Sequence, residues 1–263
     1  MSEQDLLPAM ARRHRSRWFI VFLFFVTAGA VLYVLSTPNL TRLKRENPGK
    51  TAFMKYREEE WNKKGGRYRI QQKWVPLPKI SPYLVNAVLI AEDDKFWTHR
   101  GFDYEAIQKA LEKDLRAKRL KWGGSTITQQ LARNLYLSPQ KGLIRKALEA
   151  WITWRMEQVL GKKRILELYL NVVELGEGIF GAEAAALHYF GKSSMDLSPE
   201  EATRLASILP NPRKYKPTGN HPHVTNRANQ IYEIMVKRGI VVPRHEEVLE
   251  EKHSAKGGEA SAP

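Results

Sequence analysis

Residues 81–101 read SPYLVNAVLIAEDDKFWTHRG. Pro82 sits where a first helical turn tolerates proline, behind a candidate cap at Ser81, and the apolar run from Tyr83 continues the helix to Glu92. There the chain passes at once into two aspartates, Phe96, Trp97, His99 and Gly101. An apolar lead-in of this kind sets Glu92 at the rim of a cleft, where partial desolvation raises a carboxylate's pKa and makes it a better base. Taken alone, any single glutamate reads first as a solvated helix end.

The flanking sequence repeats the helical pattern. Apolar residues at helical spacing predict helices over residues 104–120, 125–135, 143–160, 163–171, 179–189, 199–208 and 226–237, with short Gly or Pro loops between them. No run of period-two alternation predicts a substantial sheet, so the fold class expected is mostly α. Residues 36–75 are polar, mixed in charge and broken by Pro38, Pro48 and Gly65-Gly66, as in a linker or loosely packed lead-in. The compact domain is expected over residues 76–245. Residues 246–263 are charged and then small and polar, a composition that does not build a core.

The N-terminus points to a membrane. Residues 18–35, WFIVFLFFVTAGAVLYVL, carry no charge and span about 27 Å as a helix, close to the thickness of a bilayer's hydrocarbon. Arg12, Arg13, Arg15 and Arg17 precede them and mark residues 1–17 as a basic cytoplasmic tail. Ala28-Gly29-Ala30 resembles a signal-peptide cleavage site, but the apolar run continues past it to Leu35, which favours an uncleaved transmembrane anchor. Either way, the chain beyond Leu35 lies outside the cytoplasm. The 263 residues carry a net charge of +15 and no cysteine. Disulfides and thiolate metal sites are therefore excluded, and the surplus of positive charge calls for an anionic partner. An extracytoplasmic domain argues against nucleic acid and leaves anionic lipid headgroups and phosphates.

Three further stretches carry polar chemistry. Residues 123–134, GGSTITQQLARN, place two glycines and a Ser-Thr pair before a helix, where backbone N–H groups, hydroxyls and amides suit phosphate or sugar oxygens; the spacing is not that of a P-loop. In RKALE, residues 145–149, Arg145 and Glu149 share one helix face. That pair reads either as a surface ion pair or as a second carboxylate with a cation beside Glu92. KRILELYLN, residues 163–171, reads as an amphipathic packing helix ended by Asn171. Ser138 and Lys141 have the S-x-x-K form of a transpeptidase, but no S-x-N or K-T-G partner follows.

Together with GIFGAEAAALHYFGK (178–192) and RLASILPNP (204–212), the segments EDDKFWTHRG, GGSTITQQLARN, RKALE and KRILELYLN closely resemble, in order, the motif series of the peptidoglycan glycosyltransferases. The resemblance covers residues 76–218, and the short anchored chain looks like the monofunctional, biosynthetic type. It implies a lysozyme-like helical lobe with a small membrane-associated jaw. The implied reaction transfers a growing glycan from undecaprenyl pyrophosphate to the 4-hydroxyl of an incoming lipid II disaccharide, with inversion. By motif position, Glu92 is the general base and Glu149 the second carboxylate, helping to position the donor's pyrophosphate directly or through a divalent cation (Mg or Mn). No cofactor is otherwise required. Arg133 and Arg145 match the basic pyrophosphate-binding positions, with Lys146 beside them. Ser125, Thr126, Gln129 and Gln130 are donor-site candidates, and Asp93, Phe96 and His99 shape the cleft around Glu92. Ile107, Ala110, Leu111, Leu115, Leu120 and Trp122 fit either a membrane-dipping jaw or ordinary core. Expected partners are lipid II, the lipid-linked glycan, the membrane and other cell-wall synthesis proteins. The rival readings are a lytic transglycosylase, which needs a raised-pKa acid but no basic cluster for pyrophosphate, and a non-enzymatic membrane-tethered scaffold.

Overall fold

The computed structural model describes residues 18, 20–27, 29, 39–66, 69–116, 124–140 and 142–242. The chain divides into a unit ending at Asn39 and a compact unit from Leu40 onward. In the first, residues 20–27 are helical and present Phe22, Phe24 and Phe25 as exposed side chains. Among the described residues no helix is long and apolar enough to cross a membrane. Much of the expected anchor over 18–35 lies outside the described residues, as do the 1–17 tail, the 246–263 tail, Leu120, Trp122 and Lys141.

The compact unit is mostly helical. Its α-helices are α1 (Ala52–Lys63), α2 (Pro82–Glu92), α3 (Tyr104–Arg116), α4 (Ile127–Tyr136), α5 (Leu143–Val159), α6 (Lys162–Val172), α7 (Ala182–Phe190), α8 (Pro199–Ser207) and α9 (Pro222–Lys237). The helix at 81–92 forms as its sequence predicts, with Pro82 in the first turn and Leu84, Ala87, Val88 and Leu89 buried against α8 and α9. Ser81 does not cap it. Its buried hydroxyl donates instead to the Leu197 carbonyl at 3.1 Å, tying the start of α2 to the loop before α8.

Helix α4 lies at the centre, packed on α1, α5 and α6. Thr126 and Gln129 close its N-terminus with a reciprocal capping box, each satisfying the other's backbone N–H. Helix α6 is amphipathic, as its sequence predicts: Ile165, Leu166, Leu168, Tyr169, Leu170 and Val172 are buried, while Lys163 stays exposed and Lys162, Arg164 and Glu167 partly so.

Two expectations need correction. Residues 40–63 are not a linker. Leu40, Leu43, Met54 and Trp61 are buried, and α1 packs on the central helix. Its charges, which made the segment read as solvated, are spent on the domain. Arg57 grips Glu174 with two bonds of 3.0 and 2.9 Å, while Arg213 bridges Glu60 and Glu177. The helix expected from residue 179 starts three residues later. Ile179–Phe180 forms a strand (β3), parallel to β1 (Gln71–Gln72) and antiparallel to β2 (Glu174–Gly176), in the order β1-β3-β2. Gly181 then turns the chain at φ +84, where a Cβ would lie 2.6 Å from the Asn171 carbonyl oxygen. Only glycine fits that turn.

Candidate active site

Helix α2 delivers Glu92 as its last residue, and Asp93 leaves the helix in an extended conformation. The two neighbouring carboxylates therefore diverge. Asp93 turns inward: its Oδ2 accepts the backbone N–H of Ile127 at 2.9 Å, at the positive end of α4. Its Oδ1 lies 2.8 Å from His99 Nε2, and His99 Nδ1 accepts the Gly101 N–H at 3.0 Å. With Nδ1 an acceptor, the ring proton sits on Nε2 and is donated to Asp93. Phe96 is wholly buried beside them, edge-on to Trp97 and His99 and under the Lys162 ammonium at 4.5 Å. Asp93, Phe96 and His99 thus form the floor that fastens the 93–101 loop to α4, behind Glu92.

Glu92 turns the other way, with 13 % of its side chain exposed. Its Oε2 accepts the Gln130 amide N–H at 2.8 Å, and its Oε1 lies 3.5 Å from Arg227 Nη2, which donates to the Ala91 carbonyl at 3.1 Å. Burial raises the Glu92 pKa above the ordinary carboxylate value, outweighing the opposing pulls of the Gln130 hydrogen bond and the charges of Arg227 and Arg133. On α6, the buried Tyr169 hydroxyl donates to Gln130 Oε1 at 3.1 Å. Burial, with the Glu92 charge adding to it, pushes that phenol well above its usual range.

Glu149, on α5, has a different environment. Only 1 % of its side chain is exposed; Arg145 donates to Oε2 at 2.5 Å and Lys146 donates to Oε1. Lys146 also donates to the Ser125 hydroxyl at 3.1 Å, which joins this cluster to the segment leading into α4. The sequence-level choice between a surface ion pair and a second functional carboxylate resolves toward a buried anion clasping two cations. Both of its oxygens face cations, and among the described residues no group of three or more acidic or histidine side chains is arranged to hold a metal.

Of the remaining candidates, Gln130, Arg133 and Ser125 stay partly exposed. Thr126 and Gln129 are buried, with Thr126 Oγ1 also donating to the Gly101 carbonyl at 2.7 Å, so they shape the end of α4 from within. Arg133, Arg145 and Arg227 each carry a buried Nε–H that finds no acceptor. Buried N–H groups are normally satisfied, so three such arginines beside two carboxylates form a donor set suited to an oxyanion.

Arg227 and Tyr169 were not singled out from the sequence. Arg227 stands 135 positions after Glu92 on the last helix, and no local pattern connects the two. Tyr169 gave a faint signal, a hydroxyl between two leucines on a packing helix, which must find an acceptor where it is buried.

The comparisons with known proteins give the family. The transglycosylase family model matches residues 59–236, which includes every side chain described around Glu92 and Glu149. A biosynthetic peptidoglycan transglycosylase of Nitrosospira multiformis is 45% identical over 225 residues, 85% of this chain and 98% of its own. Its counterpart in Alcanivorax borkumensis is 45% identical over 222 residues, 84% of this chain and 87% of its own, and that of Aromatoleum aromaticum 54% over 170 residues, 65% and 74%. A match over most of the folded chain, at identities this high, leaves one family assignment: the chain belongs to the transglycosylases.

Proposed function

We propose that this enzyme polymerises peptidoglycan glycan strands, moving the growing glycan from its undecaprenyl pyrophosphate to the 4-hydroxyl of a lipid II disaccharide. The observation that carries the reading is a buried, basic-shifted Glu92 next to arginines with unfilled donors. Glu92 takes the proton of the acceptor hydroxyl as that oxygen forms its bond to the donor's anomeric carbon. The bond from that carbon to the pyrophosphate oxygen breaks on the opposite face, its electron pair leaving with the pyrophosphate. The configuration inverts.

Negative charge then grows on the leaving group, and Arg133, Arg145 and Lys146, with Ser125 at hand, supply the preorganised donors, an effect often worth several kcal/mol of barrier. Glu149 holds Arg145 and Lys146 in place. A divalent cation would add charge at the same pyrophosphate, with Mg or Mn suited to phosphate oxygens, and the protein steps above do not pass through it. A lytic enzyme would have no use for this cationic cluster.

The fold reading that accompanies this function is a lysozyme-like lobe with a small jaw, anchored by residues 18–35 in the cytoplasmic membrane with the catalytic domain on its outer face. The unbroken apolar run behind an arginine cluster supports it, and the exposed Tyr104 and Ile107 of α3 suit a surface that meets lipid. Polymerisation of purified lipid II in detergent, with products resolved by size, tests the reaction. Wild type is expected to make long strands and Glu92→Gln to lose about 100-fold or more, the low end for a general base. A wild type that only cuts preformed strands makes it a lytic enzyme, and one that does neither while folded makes it a scaffold.

A further inference from the structure

We propose that Tyr169 is a positioning residue for the base: acting through Gln130, it fixes which oxygen of Glu92 takes the acceptor's proton. The inference rests on Glu92 being that base. A glutamine side chain presents an acceptor at one corner and a donor at the other, and either can face a neighbour. Here the Tyr169 hydroxyl, wholly buried on α6, donates to Gln130 Oε1 at 3.1 Å. That bond turns the N–H corner of the amide toward Glu92, where it reaches Oε2 at 2.8 Å.

Oε2 is therefore covered by a donor that has no capacity to accept. Oε1 makes no bond that short, its near neighbour being Arg227 Nη2 at 3.5 Å, so the proton is received at Oε1. Were Gln130 to turn over, its oxygen would face Oε2 instead. Two acceptors meet comfortably only when one carries a proton, so the turned amide would favour Glu92 in the acid form, which has nothing left to accept. The turned amide would point its own N–H at the phenol oxygen and leave the buried phenolic proton without its acceptor, so the tyrosine hydroxyl disfavours it. A phenylalanine would keep the buried ring and lose only the hydroxyl, so the substitution isolates this hydrogen bond.

The charged and titratable groups that bear on Glu92 are Arg227 of α9, Arg133 of α4, Tyr169 of α6 and Asp93 next in the chain. Tyr169→Phe leaves all the others in place, so a change in the pH profile reports on the amide.

The test is the pH dependence of kcat/KM for lipid II polymerisation by the full chain in detergent, for wild type, Tyr169→Phe, Gln130→Met and the double variant. Tyr169→Phe is expected to move the acidic limb to higher pH and to lower kcat at pH 7 by about fivefold, within the range one neutral hydrogen bond carries, with KM within about twofold. Gln130→Met, which removes both bonds, should move the limb the same way. The double variant should move it no farther than Gln130→Met alone, because no amide remains to be oriented. A limb in Tyr169→Phe that coincides with wild type overturns the proposal. So does an unmoved limb in Gln130→Met, a result that stands even where the tyrosine variant does not fold. Glu92→Gln separates the two levels: if the acidic limb persists there, the reading of Glu92 as base is wrong, independently of Tyr169.

Discussion

Glu92 and Glu149 are both buried glutamates, on α2 and α5, and their surroundings make them opposites. Glu149 is more deeply buried, yet Arg145 and Lys146 each contact one of its oxygens, so its charge is matched at close range. Glu92 receives one neutral amide and stands 3.5 Å from its nearer cation. Taking a carboxylate out of water costs several kcal/mol unless it is paired and hydrogen-bonded. At Glu149 the two cations offset that cost, and the carboxylate orients them. At Glu92 the cost is only partly met, and the shortfall appears as affinity for a proton. A base is, in these terms, a carboxylate that the fold has left incompletely compensated.

Substitutions at the two sites should therefore fail in different ways. The largest effect belongs to the activity of Glu92→Gln, a loss of about 100-fold or more in lipid II polymerisation with the protein still folded. Glu149→Gln should show its effect in stability as well. Removing the charge leaves Arg145 and Lys146 crowded with only the glutamine oxygen and, for Lys146, the Ser125 hydroxyl to meet them, and urea unfolding should report a loss of about 3 kcal/mol, the low end for a buried pair because both cations keep some contact with water. An unchanged midpoint would mean that the cations relax into solvent and the pairing is incidental. Asp93→Asn is milder. The amide can replace one of the two bonds that Asp93 accepts from His99 and Ile127, so about 1–2 kcal/mol should be lost.

The smallest effect has the opposite sign. A carboxyl whose pKa is raised by folding contributes stability that is full below its unfolded pKa and is lost as pH rises through the folded value. At pH 7 the ionised Glu92 is therefore a burden, and Glu92→Gln should raise Tm by about 2 °C, the shift that roughly 0.5–1 kcal/mol gives in a domain of this size. The gain should shrink as the pH is lowered from the raised folded value toward the ordinary glutamate range and be gone below it, where the carboxyl is neutral in both states. A Tm that falls at pH 7 would show Glu92 to be well compensated after all.

The same contrast separates what could be read in the sequence from what could not. Helices α2, α5, α6 and α8 follow from apolar spacing and proline placement, because their burial is determined by neighbours three and four residues away. Helix α1 was unreadable for the converse reason. Met54 and Trp61 are two core contacts in a run of charge, and the partners that tie Arg57 and Glu60 to the rest of the domain, Glu174 and Arg213, lie more than 100 residues on. Gly181 looked like any small residue in an alanine-rich stretch, since its necessity comes from the Asn171 carbonyl, not from its neighbours in the chain. At the site, Glu92, Arg133, Arg145 and Glu149 were legible because their motifs are contiguous. Arg227 and the Tyr169 hydroxyl were not, because each acquires its meaning only when a distant helix is brought to Glu92.

The distinction between the two carboxylates is tested most directly by the pH profile of kcat/KM for lipid II in the wild type and in Glu149→Gln. The account predicts an acidic limb above the ordinary glutamate range in the wild type, retained at the same pH in Glu149→Gln however much the rate falls. A limb that vanishes with Glu149 and survives in Glu92→Gln would assign the proton transfer to the other carboxylate and contradict the account at its centre.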